Sequence, residues 1–236
     1  MKKNEIKECK IENTKKIVCE EFRDKLDELI QILIQKYNDN QVLKEIPYVK
    51  IFMAFLNDCK SYSDLEKTNK LIMFFDECKD TDVTKVKEFM DKLDEKITGK
   101  RLFDYITGLD DDRKCILAGR IYKHLIEERD HPDTFYRIAN SIKACYYPDL
   151  KYLAPINEIN PVTNNGENID KDIVQNLFNY GFLINIGING GNVLDDSGGI
   201  MYSLSNSGEM ILKCLPRAEI SKVCNDSAEL NTSKTV

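Results

Sequence analysis

His124 and Glu128 stand four residues apart, a spacing that puts two side chains on one helical face, where they could share a metal ion or relay a proton. With Glu127 and His131 they make the one stretch whose residue types suit that chemistry. The surrounding pattern gives them plainer work: Glu127 and Glu128 close the polar end of an amphipathic helix, and His131 before Pro132 reads as a turn. Asp110, Asp111 and Asp112 lack the alternating carboxylates, central glycine and closing glutamate of a calcium loop, so they read as helix-capping acids. Gly190, Gly191, Gly198 and Gly199 open no Gly-x-x-x-x-Gly-Lys run, so they read as hairpin glycines and not as a phosphate cradle. Gly181 and Gly187 flank a strand and read as geometric. No Gly-x-Ser-x-Gly motif occurs, and two histidines leave few members for a Ser-His-Asp or Cys-His arrangement. No catalytic residue, cofactor or metal is therefore assigned, and the expectation is a protein that is not an enzyme.

Tyr136, Arg137, Tyr146, Tyr147 and Tyr152 carry the candidate interaction chemistry. Phe135, Ile138 and Ile142 occupy the apolar stripe of their helix, so Tyr136 and Arg137 are expected to turn at least partly away from it. Tyrosine and arginine are the residue types that anchor protein interfaces. They are expected either to line the seam between two halves of the chain or to meet an external partner.

The elements that hold these residues follow from apolar spacing. From about residue 15 to 153 apolar side chains recur at three and four, which predicts a series of amphipathic helices. Ile17, Phe22, Leu26, Leu33 and Tyr37 trace the first, and Pro47 opens a short piece through Val49, Phe52 and Leu56. Ser63 with Glu66 reads as a capping box before Leu71, Ile72 and Phe75. A fourth pattern runs from about Asp80 to a stop at Gly99, and a short helix follows with Leu102 and Ile106. Two further helices carry Ile116, Leu117, Ile121 and Leu125, then Phe135, Ile138 and Ile142.

Composition changes at Pro155. Residues 154–168 hold two prolines, five asparagines and a glycine, the chemistry of a linker. A helix is expected over about 170–180, then a strand over 182–188, a glycine-bracketed turn, a returning strand over 200–204, and a helix capped by Ser205 or Ser207. The last polar residues, 216–236, read as a flexible tail.

The chain has 236 residues, 31% of them charged and 42% hydrophobic, the profile of a globular protein and not of a disordered or fibrous one. Thirty-four basic against forty acidic residues leave a net charge of −6, which disfavours nucleic acid as a partner. The start carries no apolar stretch of signal-peptide length, and the runs 51–56 and 71–75 are far too short to span a bilayer, so a cytoplasmic protein with no membrane contact is expected. Eight scattered cysteines, with no Cys-x-x-Cys pair, read as free thiols.

The segment 170–215 resembles the second half of a winged-helix module: a helix ending in LFNYGFL, a glycine-bracketed wing, and IMYSLSNSGEMIL as strand then helix. Taken with the helical spacing and the linker composition before it, this gives a mainly α protein: an N-terminal multi-helix domain over 1–153, a linker over 154–168, a small winged-helix-like α+β domain over 169–215, which the resemblance implies, and a tail over 216–236. Winged helices serve both as DNA readers and as protein-docking modules. In a DNA reader the helix before the first wing strand enters the major groove, which would make Lys171, Gln175, Asn176 and Asn179 the contacts. Asp170 and Asp172 beside Lys171, and Asp195 and Asp196 in the wing, depart from that pattern, because carboxylates repel phosphate. From Leu150 onward six basic residues face ten acidic ones. The helical half, with FFDECKD, TFYRIANSIKACYYPDL and KYL, resembles uncharacterised bacterial and prophage-borne helical proteins, which implies a setting around mobile elements or antiphage defence. The expected role is that of a non-catalytic interaction or adaptor module that binds a protein partner or itself, with a DNA-binding regulator as the alternative and an enzyme with a hidden site as the second.

Overall fold

The computed structural model describes residues 62–78, 80–92, 95–163, 169–190 and 198–217. The first expected helix, the Pro47 piece, the wing residues Asp195 and Asp196 and all but the first two residues of the expected tail lie outside the described residues. The chain divides into two compact units, Met1–Leu109 and Asp110–Val236.

The described part of the first unit is helical. Helix α1 spans Tyr62–Cys78, so Ser63 lies inside its first turn and not at the cap. It buries Leu71, Ile72, Phe74 and Phe75, the two rings meeting edge to face at 5.3 Å. Helix α2, Val83–Met90, starts at Asp82, whose carboxylate accepts the N–H groups of Thr84 at 2.8 Å and Lys85 at 3.1 Å. Those two bonds hold Asp82 below the ordinary carboxylate pKa, that from Lys85 foremost. The single helix expected up to Gly99 is instead broken: α2 ends at Met90 and α3 runs Glu95–Thr107 straight through that glycine. A mid-helix glycine costs about 1 kcal/mol against alanine. Helix α3 packs on α1 and buries Leu102, Tyr105 and Ile106, which outweighs that cost.

The second unit joins helices to a small sheet. Helix α4 spans Asp112–Glu127, capped by Asp111, and α5 spans Pro132–Ala144, with proline in its first turn and His131 as its cap. A 3-10 segment, Tyr147–Tyr152, leads into α6, Leu153–Ile159. Residues 154–163, expected as linker, thus form α6 and the short strand β1, Val162–Thr163, because Leu153, Ala154, Ile156 and Val162 are buried in the core. Helix α7, Lys171–Asn179, precedes strands β2, Leu183–Asn189, and β3, Gly199–Leu204, and α8 closes the unit over Asn206–Cys214.

The three strands are antiparallel in the order β1-β3-β2. Val162 pairs with Tyr202 and Leu183 with Leu204, four buried side chains on one face of the sheet. Phe178 of α7 meets the Tyr202 ring at 5.0 Å. The α4 and α5 helices pack on each other, α4 also packs on α8, and the 3-10 segment packs on α7. Those contacts agree with the division at Leu109 and not near residue 153: α5 packs on α4, α4 on α8 and α8 on β3, so the last two long helices of the expected helical half belong to the unit that holds the strands.

Candidate interaction surface

Helix α7 is the contact element of the DNA-binding alternative, and its sequence forms a helix because Asp170 caps it, accepting the Asp172 N–H at 2.8 Å. Val174 and Leu177 bury its inner side. Lys171, Gln175, Asn176 and Asn179 are all exposed, as the resemblance implies, and the structure brings them onto one element. Their polar groups are partly engaged inside the protein: the Gln175 amide donates to Asn179 Oδ1 at 2.9 Å, and the Asn176 amide lies 3.5 Å from Asp149 Oδ2. Asp170 and Asp172 flank the one lysine, so the exposed surface of this helix carries no net positive charge.

The five residues proposed as interface anchors separate. Tyr136 is buried, its ring 5.4 Å from that of Phe135, so the expectation that it turns away from the core is corrected. Phe135, Tyr136 and Ile138 to Ala139 all bury, because α5 is covered over more than one stripe of its surface. Tyr147 is also buried, beneath the Arg113 guanidinium at 4.4 Å from the ring centroid. Tyr152 is half-buried, with Lys151 Nζ 5.1 Å from its ring centroid. Arg137 and Tyr146 remain exposed, Tyr146 by 66%.

The most exposed aliphatic side chains among the described residues, which sequence reasoning did not single out, lie on β2. Ile184, Ile186 and Ile188 are exposed by 48%, 47% and 77%. In a regular strand the three would share one face. Here Asn185 pairs with Tyr202 and Gly187 with Met201, which leaves Ile186 as an extra residue, a β-bulge. Ile184 pairs with Ser203 and Ile188 with Ile200, three residues apart on β3, so the bulge puts Ile184 and Ile188 on opposite faces of the sheet. Gly187 takes φ +142°, outside the range most side chains allow, and Asn185 Oδ1 accepts its N–H at 2.9 Å. The alternating Ile-x-Ile-x-Ile pattern was the signal in the sequence, but it predicts a one-sided stripe.

A buried polar network also escaped the sequence reading. Lys114 is 1% exposed, and its ammonium donates to Asp110 Oδ1 at 2.8 Å and to the Lys143 carbonyl at 3.1 Å, tying the start of α4 to the last turn of α5. The bond from Lys114 holds the Asp110 carboxyl below its ordinary pKa, and the Arg113 guanidinium does the same for Asp111. Lys114 lies four residues before Ala118 and seven before Ile121, inside the apolar stripe, and that phase was the available signal. Asp149 is buried near this network, and burial together with the like charge of Asp170 raises its pKa. The Cys145 and Cys214 thiols are pushed up to about 11 by burial, so neither is a nucleophile at neutral pH.

His131 Nδ1 accepts the Asp133 N–H at 3.3 Å, which makes it a helix cap. Among the described residues no three His, Cys, Asp or Glu side chains group closely enough to hold a metal ion, and no helix is long and apolar enough to cross a membrane. Comparison with family models, curated proteins and solved structures returned no match to this chain.

Proposed function

We propose that the second unit is a winged-helix-like module that binds another polypeptide and does no chemistry of its own. The strand order β1-β3-β2, with α7 immediately before β2 and α8 after β3, is compatible with that architecture. One observation carries the choice of partner: three exposed isoleucines lie within the seven residues of β2, which contains no charged side chain. An uncharged apolar strand at the edge of a sheet is a template for pairing with another chain. Arg137 and Tyr146 add residue types common at interfaces.

The alternative is a DNA-binding regulator that reads bases through Lys171, Gln175, Asn176 and Asn179, and the exposure of that set on α7 favours it. Charge opposes it, because Asp170 and Asp172 stand beside the lysine. The two readings separate in one comparison. The intact chain and its Ile188→Lys and Arg137→Ala/Tyr146→Ala variants are used to capture partners from the native cells, and all three are titrated with duplex DNA at low salt. The proposal expects a protein captured by the parent and lost with a variant, and no duplex binding. Salt-sensitive duplex binding that disappears with Lys171→Ala would replace it with the regulator reading.

A further inference from the structure

We propose that the outer edge of β2 takes up an extended, uncharged, apolar segment of a partner protein as an added strand. This rests on the polypeptide-binding reading above and specifies its geometry. In the order β1-β3-β2 the outer edge of β2 pairs with no strand among the described residues. Protein edges are ordinarily guarded by lysine, proline or an inward charge, and Leu183–Asn189 has none of these.

The bulge distinguishes edge docking from face docking. A partner lying flat on the sheet would need the isoleucines on one face, whereas Ile184 and Ile188 lie on opposite faces. A strand hydrogen-bonded to the edge projects side chains alternately to both faces, so it meets an isoleucine on each. Because β2 offers no charge, the matching segment is apolar and uncharged. Three isoleucines, the most open of them 77% exposed, fall short of the roughly 800 Å² per partner that a stable dimer buries, so the surface suits a short segment better than a second copy. Asn185 Oδ1 holds the Gly187 N–H, so the added strand pairs beside the bulge and not across it.

The test uses the intact chain and a displayed library of random seven-residue peptides, the length of β2. Enriched peptides should be uncharged, proline-free and alternating. Each is then synthesised with its amides N-methylated on one alternate set or the other. Methylating the set that faces β2 should weaken binding about tenfold or more, while the other set changes it little, because only one set donates to the edge. Ile184→Thr/Ile188→Thr, with the parent's circular dichroism, should weaken binding similarly. Equal sensitivity to both methylated sets, indifference to the isoleucine variants, or enrichment of charged peptides would overturn strand addition. So would a dimer seen by sedimentation that the same variants dissolve, since the occupant would then be a second copy. A captured protein that ignores these variants ends the strand proposal but leaves polypeptide binding, whereas no captured protein ends both.

Discussion

Gly208 lies directly against the backbone of Phe182: a Cβ built on Gly208 would overlap the Phe182 carbonyl oxygen and stand 3.2 Å from its carbonyl carbon. The same carbonyl accepts the Ser205 N–H at 2.9 Å, so the start of α8 is fastened to the residue just before β2. The Ser-Asn-Ser-Gly run is thus a packing device in which only glycine fits the fourth place. Gly208→Ala should destabilise the second unit by about 1–3 kcal/mol despite alanine's better helix propensity, because overpacking against backbone cannot relax by a rotamer change. Denaturant unfolding measures this, and an unchanged midpoint would refute the close approach.

Ser205 is the second fastening. Its Oγ accepts the Gly208 N–H at 3.1 Å and donates to the Gly181 carbonyl at 2.7 Å, joining the cap of α8 to the end of α7. Ser205→Ala should cost about 1–2 kcal/mol, as loss of a helix cap does, and Ser205→Thr should recover most of it. Thermal unfolding of the three proteins gives the comparison.

Asp149 should make stability fall as pH rises. Burial raises its folded-state pKa above the unfolded value, so the folded protein holds the extra proton between the two values, and that contribution is lost as pH passes the folded pKa. Asp149→Asn should therefore be at least as stable as the parent at neutral pH, with the difference vanishing below the ordinary carboxylate pKa. Asp110 and Asp111 act with the opposite sign: their pKa values are depressed, so their contribution is present at neutral pH and lost on acidification. Unfolding free energies of the parent and Asp149→Asn across pH isolate the Asp149 part. A variant less stable at neutral pH would show that the ionised carboxylate is wanted where it is.

Lys114 tests the buried network. Lys114→Ala should cost about 2–4 kcal/mol, since it opens a cavity and strands the Lys143 carbonyl. Lys114→Met should cost less, because it keeps the packing and leaves Asp110, which is largely exposed, to water. Equal losses in both variants would assign the stability to the charge and not to the volume.

Arg129 has φ 57°, the left-handed position that ends α4, where the Arg129 and Asp130 N–H groups bond to the Ile126 and Leu125 carbonyls. Arg129→Gly should raise stability by about 0.5–1 kcal/mol through relief of that conformation. A loss on calorimetric unfolding would mean that contacts of the arginine side chain exceed the backbone strain.

Much of the local structure was legible. The strands near 182–188 and 200–204, the helix near 170–180, the Ser205 cap and the acidic cap at Asp111 are all written in periodicity and in residues that satisfy helix ends through their own side chains. These depend on neighbours a few residues apart, so spacing alone reports them. The break after Met90 and the helical course through Gly99 were not legible, because small local preferences there yield to burial of Leu102 and Ile106.

The sequence by itself determined the helices near 112–127, 132–144, 171–179 and 206–214 and the two strands between the last pair, that charge disfavours a phosphate-binding surface, and that no catalytic motif is present. Only the tertiary structure decided that Tyr136 and Tyr147 are buried, that Lys114 is enclosed, and that Ile184 and Ile188 face opposite ways. Those facts turn on which elements cover one another and on a single extra residue in a ladder. Both are set by contacts between segments distant along the chain, which periodicity within one segment cannot encode.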